Sequence, residues 1–159
     1  MERINAILNY PIFIKTMTRL NKLEADRLFC KHGMEHLLDV ARIAYILNLE
    51  SEEKPLPKDI IYAAALLHDI GRARQYEDGT PHEKESAKLA ENILPDCGFN
   101  KTESELILDA ILSHRSKTHQ WQTTIAEYIF RADKLSRYCR NCVKLDECDW
   151  KLKNIEIEY

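Results

Sequence analysis

The sequence has 159 residues, 45% of them hydrophobic and 31% charged, with a net charge of −3. That length fits one domain of ordinary size, and the composition excludes an intrinsically disordered chain. Lys and Arg number 11 against 12 Asp and Glu in residues 1–80, and 12 against 14 beyond, so neither half is basic enough for general nucleic-acid binding.

Gly and Pro together number nine, too few for an all-β fold built on tight turns, whereas the abundant Ala, Leu, Ile, Glu and Lys favour helix. The longest apolar run, Ile60 to Leu67, has eight residues, far short of the roughly 20 that span a membrane. Asn5, Asn9 and Pro11 interrupt the first apolar stretch, so no secretory segment forms. The expectation is a cytoplasmic chain with no membrane partner. Its five cysteines are then reduced thiols or metal ligands rather than disulfides.

In chain order, residues 2–9 read as a short helix broken at Tyr10-Pro11, and Pro11 opens a second helix. Gly33 precedes a long helix over about 34–49 that is apolar nearly all round and so reads as central. Pro57 opens a helix that runs to Leu67-His68, and Gly71 ends or bends it. Thr80-Pro81-His82-Glu83 reads as a capping box for a helix that stops at Pro95. Thr102-x-x-Glu105 opens another, which ends near Ser113. Residues 115–124 are polar and irregular, with His119 at the surface. A last helix covers about 125–138. The sum is an all-α, compact bundle of about six or seven helices forming a single domain over residues 1–159.

The histidines fall where apolar residues are expected. His36 is in line with Val40, Ile43 and Leu47. His68 follows Ile61, Ala64 and Ala65, and His82 precedes Ser86, Leu89 and Ile93. His114 follows Ile107, Ala110 and Ile111. Any one of these alone reads as a core imidazole bonded to a carbonyl. Asp133, behind Ala126, Ile129 and Phe130, changes that reading. A carboxylate among apolar neighbours must be paired, protonated or bound to a cation, and Asp69 faces the same demand. One shared metal site satisfies both aspartates and uses the neutral imidazoles as ligands.

The run Leu-Leu-His68-Asp69-Ile-Gly-Arg resembles the signature of the HD-domain superfamily of metal-dependent phosphohydrolases, in its HDIG form. His36 in His-x-x-Asp-Val-Ala is similar to that family's first-ligand helix, and Asp133 in Arg-Ala-Asp-Lys-Leu to its last. The resemblance covers about residues 32–137. It implies an HD-type helical fold and a metal held by His36, His68, Asp69 and Asp133. His82 and His114 resemble the extra histidines of two-metal HD proteins, including small dinucleoside-polyphosphate hydrolases, where Asp69 would be the bridging, catalytic carboxylate. His32, one turn before His36, is at most a reserve ligand and more naturally exposed. Where the family often has Lys, this chain has Arg72, which keeps the charge and gains a bidentate fork.

One or two divalent transition ions (Fe, Mn, Co, Ni or Zn) lower the pKa of a coordinated water enough to supply hydroxide near neutral pH. Arg72, Arg115 and Lys134 are the candidates to offset charge on phosphate oxygens, and Tyr76 is a candidate to stack on a base. The reading is a phosphohydrolase acting on a small phosphorylated metabolite or nucleotide. The ligand set alone leaves open a diiron oxygenase and a non-catalytic metal- or nucleotide-binding module. It leaves open the native metal and homo-oligomer formation as well.

Residues 139–159 form a tail with Cys139, Cys142 and Cys148, one thiol short of a closed Zn or Fe–S site. Cys30 lies six residues before His36 and Cys139 six after Asp133. Antiparallel helices at a shared metal would bring those thiols together, with Cys97 as the other completion.

Overall fold

A computed structural model describes residues 1–53, 55–116, 121–148 and 155–157. Among them the helices are α1 (Glu2–Leu8), α2 (Pro11–Leu23), α3 (Met34–Glu50), α4 (Lys58–Leu67), α5 (Arg72–Asp78), α6 (His82–Asp96), α7 (Lys101–Ser113) and α8 (Thr124–Leu135). Every helix expected from the sequence is present. The addition is the seven-residue α5, too short for its period to show. No helix among the described residues is long and apolar enough to cross a membrane. Lys117 to Gln120, including His119, lie outside the described residues, as do the last residues of the cysteine tail.

The central helix is α4 rather than α3. Seven of the ten residues of α4 are buried, and it packs against α1, α3, α6, α7 and α8. Ala63, Ala64 and Ala65 let those neighbours come close, while Ile61, Leu66 and Leu67 are wholly buried. Each of these larger side chains contributes on the order of 1.5–3 kcal/mol relative to an exposed one. The longer α3 packs on α4 and α8 but leaves Ile46 and Leu49 exposed.

Helix ends follow local hydrogen-bond competition more than the sequence signals suggest. Asn100, not Thr102, caps α7, because its side chain accepts from the Glu103 N–H while Glu103 accepts from the Asn100 N–H. No side chain caps α6: the Thr80 hydroxyl donates to Asp78 instead, at 2.7 Å. That helix also runs through Pro95, whose missing N–H costs little in a last turn. Gly98, at φ 81°, closes the end: its N–H donates to the Pro95 carbonyl and that of Phe99 to the Leu94 carbonyl. α8 stops at Leu135, and the chain beyond turns repeatedly, with the Cys142 N–H donating to Cys139 and the Leu145 N–H to Cys142.

The turn after α4 lies hard against α6. The Gly71 N–H donates to the Ser86 hydroxyl at 2.8 Å, which presses residues 68–71 onto the first turns of α6. A Cβ at Gly71 would stand 2.5 Å from the His82 carbonyl oxygen and 2.6 Å from the Ser86 nitrogen, both backbone atoms. Close approach, not unusual backbone torsion, excludes a side chain here. Gly71→Ala should therefore lower unfolding stability by about 1–3 kcal/mol, measured by urea titration. An unchanged midpoint would contradict the packing described.

Candidate metal centre

Five helix ends meet at one end of the bundle. His36 is in the first turn of α3, and His68 caps the C-terminus of α4 with Asp69 next to it. His82 begins α6, His114 caps the C-terminus of α7, and Asp133 lies in the last turn of α8. All six are buried, Asp133 the least so at 8% exposure. The structure thus brings together every His and Asp that the sequence singled out as a ligand.

Helix ends also orient the imidazoles. His68 Nδ1–H donates to the Ala65 carbonyl at 2.7 Å, and His114 Nδ1–H donates to Ile111 at 2.6 Å. Each thereby satisfies a carbonyl left without a partner at its helix C-terminus. His82 Nδ1–H donates to the Gln75 side-chain oxygen at 2.6 Å, which is the role of α5. In all three the Nε2 atom is turned to the centre, as an outer hydrogen bond fixes it in metal-ligating histidines. Ser136, just past α8, lies 3.1 Å from His36 Nδ1.

Asp69 sits between two groups of ligand atoms. One of its oxygens, Oδ2, is 3.6 Å from His36 Nε2 and 3.4 Å from His68 Nε2. The other, Oδ1, is 3.0 Å from His82 Nε2 and 3.8 Å from His114 Nε2. Asp133 Oδ1 completes the first group, 3.4 Å from His36 and 3.8 Å from His68. The sets His36, His68, Asp69, Asp133 and Asp69, His82, His114 each place their ligand atoms within 4.8 Å of one another. Both oxygens of Asp69 and Nε2 of His68 are buried with no hydrogen-bond partner. Orphaned acceptors of this kind, in a nitrogen and carboxylate donor set, fit a bound divalent transition ion.

Electrostatics says the same. Burial opposes charge at His68, yet Asp69 and Asp133 outweigh it and raise its pKa to about 9. Burial likewise works against both carboxylates. His68 and Arg72 nonetheless hold Asp69 well below the usual carboxylate range, and His36 and His68 do so for Asp133. Burial and the charge of His68 push His114 down to about 3, and burial lowers His82. Without a metal, the centre gathers a proton between its aspartates. His114 therefore stays neutral near pH 7, the form that can ligate a metal.

Of the cations expected to meet phosphate, Arg72 stands at the site, its Nε 3.3 Å from Asp69 Oδ1. Lys134 is paired with Asp133. Arg115 is exposed and lines neither of the cavities beside the centre. His32, expected at the surface, is buried at 6% exposure, but it does not join the ligand groups. Its Nδ1–H donates to Glu24 at 2.5 Å, its backbone N–H to the same carboxylate at 2.6 Å, and the Tyr76 hydroxyl donates there at 2.7 Å. Tyr76 is thus engaged with Glu24, an acid the sequence reading missed because it follows α2 outside any apolar stripe. Arg137 was missed too, although it lies four residues after Asp133. Its guanidinium donates to His36 Nε2 at 3.0 Å, the lone pair a metal would take.

The four-thiol site is not formed. Cys30, Cys139, Cys142 and Cys148 line two adjoining cavities, but among the described residues no three of these sulfurs lie within 4.8 Å of one another. The chain leaves helix at Leu135, so the tail thiols share no face, and Cys97 is buried away from them at the end of α6.

Residues 33–138 match the sequence profile of the family described as HD domain. An uncharacterized protein of Clostridium beijerinckii is 47% identical over the full length of both chains. Ribonuclease Y of Pseudothermotoga lettingae is 26% identical over 94% of this chain and 29% of its own. Ribonuclease Y 1 of Levilactobacillus brevis is 30% identical over 80% and 22%. The chain spans less than a third of those two proteins. The crystal structure of a predicted HD superfamily hydrolase from an uncultured Thermotogales bacterium superposes with a TM-score of 0.64 at 23% identity. It covers 82% of this chain and 69% of that one, a likeness of fold.

The Glu24 cluster yields a pH signature. Burial alone would raise this carboxyl, but hydrogen bonds from His32 and Tyr76 draw it down to about 2, from 4.5. A folded-state pKa below the unfolded value stabilises fully above pH 4.5, and that contribution is lost as pH falls towards 2. Glu24→Gln should be less stable than wild type by about 1–3 kcal/mol at pH 7, with the gap closing by pH 2 to 3 in urea titrations. A gap independent of pH would refute the assignment.

Proposed function

The chain belongs to the HD-domain family, and on that premise we propose that it is a metal-dependent phosphohydrolase acting on a small phosphorylated metabolite, a nucleotide in the first place. The observation that carries the reading is the split of Asp69, one oxygen towards each of two buried ligand groups. His36, His68, Asp69 and Asp133 would hold one ion, and Asp69, His82 and His114 a second. When bound, such ions lower the pKa of a coordinated water towards neutrality and polarise a phosphoryl oxygen.

The side chains do the rest. Gln75, Ala65 and Ile111 keep three imidazoles in the ligating tautomer. Arg72 offers its fork to the non-bridging oxygens beside Asp69. Lys134 stays paired with Asp133 and helps to keep it ionised. The relatives named ribonucleases lend support to hydrolysis at phosphorus. The balanced charge of this chain favours a small substrate over a polynucleotide.

The test is phosphate release from a panel of nucleotides by chelated protein reloaded with Mn²⁺, Fe²⁺ or Co²⁺. Activity should return with metal, and Asp69→Ala should remove it by more than the roughly 10–100-fold typical of losing an outer-shell partner. His82→Ala and His114→Ala should each lose one equivalent of metal and keep the other. Full metal content in Asp69→Ala would refute the centre. Oxygen consumption without phosphate release would overturn the reaction, and so would ligand binding with no turnover.

A further inference from the structure

Two cavities open beside the ligand cluster, and the smaller, of about 220 Å³, runs from Asp133 past Arg72 to Arg27 and Arg137. His32 forms part of its wall. Three arginines therefore line one recess that reaches the metal centre at Asp133. Arg137 has no carboxylate partner among the described residues, and the carboxylates near the other two are shared with other groups. Arg137 donates to the Lys31 carbonyl at 2.7 Å and to His36 Nε2 at 3.0 Å. Arg27 donates to the Cys30 carbonyl at 2.8 Å and makes a loose ion pair with Glu24, at 4.0 Å. Glu24 is itself already committed to His32 and Tyr76. Arg72 lies 3.3 Å from Asp69, the carboxylate assigned to the metal centre.

Size narrows what the recess accepts. At about 30 Å³ per water, it has the room of about seven waters, more than one phosphate needs. It is also below the roughly 300 Å³ at which pockets begin to hold drug-sized molecules. Arginine forks in a half-enclosed site favour a multiply charged oxyanion such as a phosphate over an uncharged group.

We infer that this recess is a second anion subsite, which holds the phosphate next to the reacting one, so that the substrate class is a phosphoanhydride and not a phosphate monoester. The inference rests on the hydrolase reading of the adjoining centre. In the step it implies, a water oxygen bonds to the reacting phosphorus and the bond from that phosphorus to the bridging oxygen breaks. The bridging oxygen keeps the bonding electrons and stays on the phosphate held by Arg27 and Arg137. One proton of the water remains on a product and the other passes to solvent. The larger cavity, about 630 Å³ and sharing Arg137 as a wall, is where the remainder of such a molecule fits.

The experiment titrates the full-length, metal-loaded chain by calorimetry with methylenediphosphonate, whose P–C–P link resists hydrolysis, and with methylphosphonate. Metal content is measured before and after. The diphosphonate should bind at least about tenfold more tightly, and Arg27→Ala should remove about tenfold of its affinity with metal content unchanged. Arg27→Lys, which keeps the charge but not the fork, should fall between. Arg131→Ala, on the exposed face of α8, should change neither affinity. Equal affinities for the two probes, or the same loss in the Arg27 and Arg131 variants, would overturn the subsite. An Arg27-dependent preference in a chain that hydrolyses no phosphate compound would remove the hydrolase reading and keep the subsite. Phosphate release without that preference would do the reverse.

Discussion

Two ionised carboxylates buried at the end of a helical bundle are the constraint to which the rest of this structure answers. Asp69 is 1% exposed and Asp133 8%, and a lone buried charge costs several kcal/mol after relaxation. The chain offsets that cost locally with Arg72, Lys134 and a protonated His68, none of which satisfies the Asp69 oxygens by hydrogen bonding. A divalent cation would take the place of the His68 proton and satisfy those oxygens as well. The same demand explains why the imidazoles are tied down from outside: a ligand that can rotate away does not stabilise the pair.

Helix ends make the centre possible. α4 delivers His68 and Asp69 from its C-terminus, where the Ala65 carbonyl accepts from His68, as the Ile111 carbonyl at the end of α7 accepts from His114. Gly71 then lets that turn lie against α6, so that His82 reaches Asp69 from the other side. The Ala-rich face of α4 and the depth of the site are linked, since small residues bring five helices near enough for their ends to converge.

Much of this was legible in the sequence, and for a physical reason. A polar residue that recurs on an apolar helical stripe is buried by its neighbours whatever its own preference. His36, His68, His82, His114 and Asp133 could therefore be assigned to the interior from spacing alone, and the Ala, Leu and Ile content gave the helices. What lay outside periodic segments was not legible. Glu24, His32, Arg27 and Arg137 stand just beyond helix ends, where no repeat reports on which way a side chain points. The tail thiols belong with them. Their meeting with Cys30 required the chain to leave α8 in line, whereas turns begin at Ser136. Helix caps went the same way, because Asn100 and Asp78 outcompeted signals that looked equally good on paper.

The most direct test is anomalous diffraction from crystals of the metal-loaded chain, recorded above and below the absorption edge of the added ion. Two peaks should appear, one among His36, His68 and Asp133 and one between His82 and His114, about 3.5–4 Å apart with Asp69 between them. A peak elsewhere, or none in a crystal whose six side chains keep the arrangement described, would contradict the account.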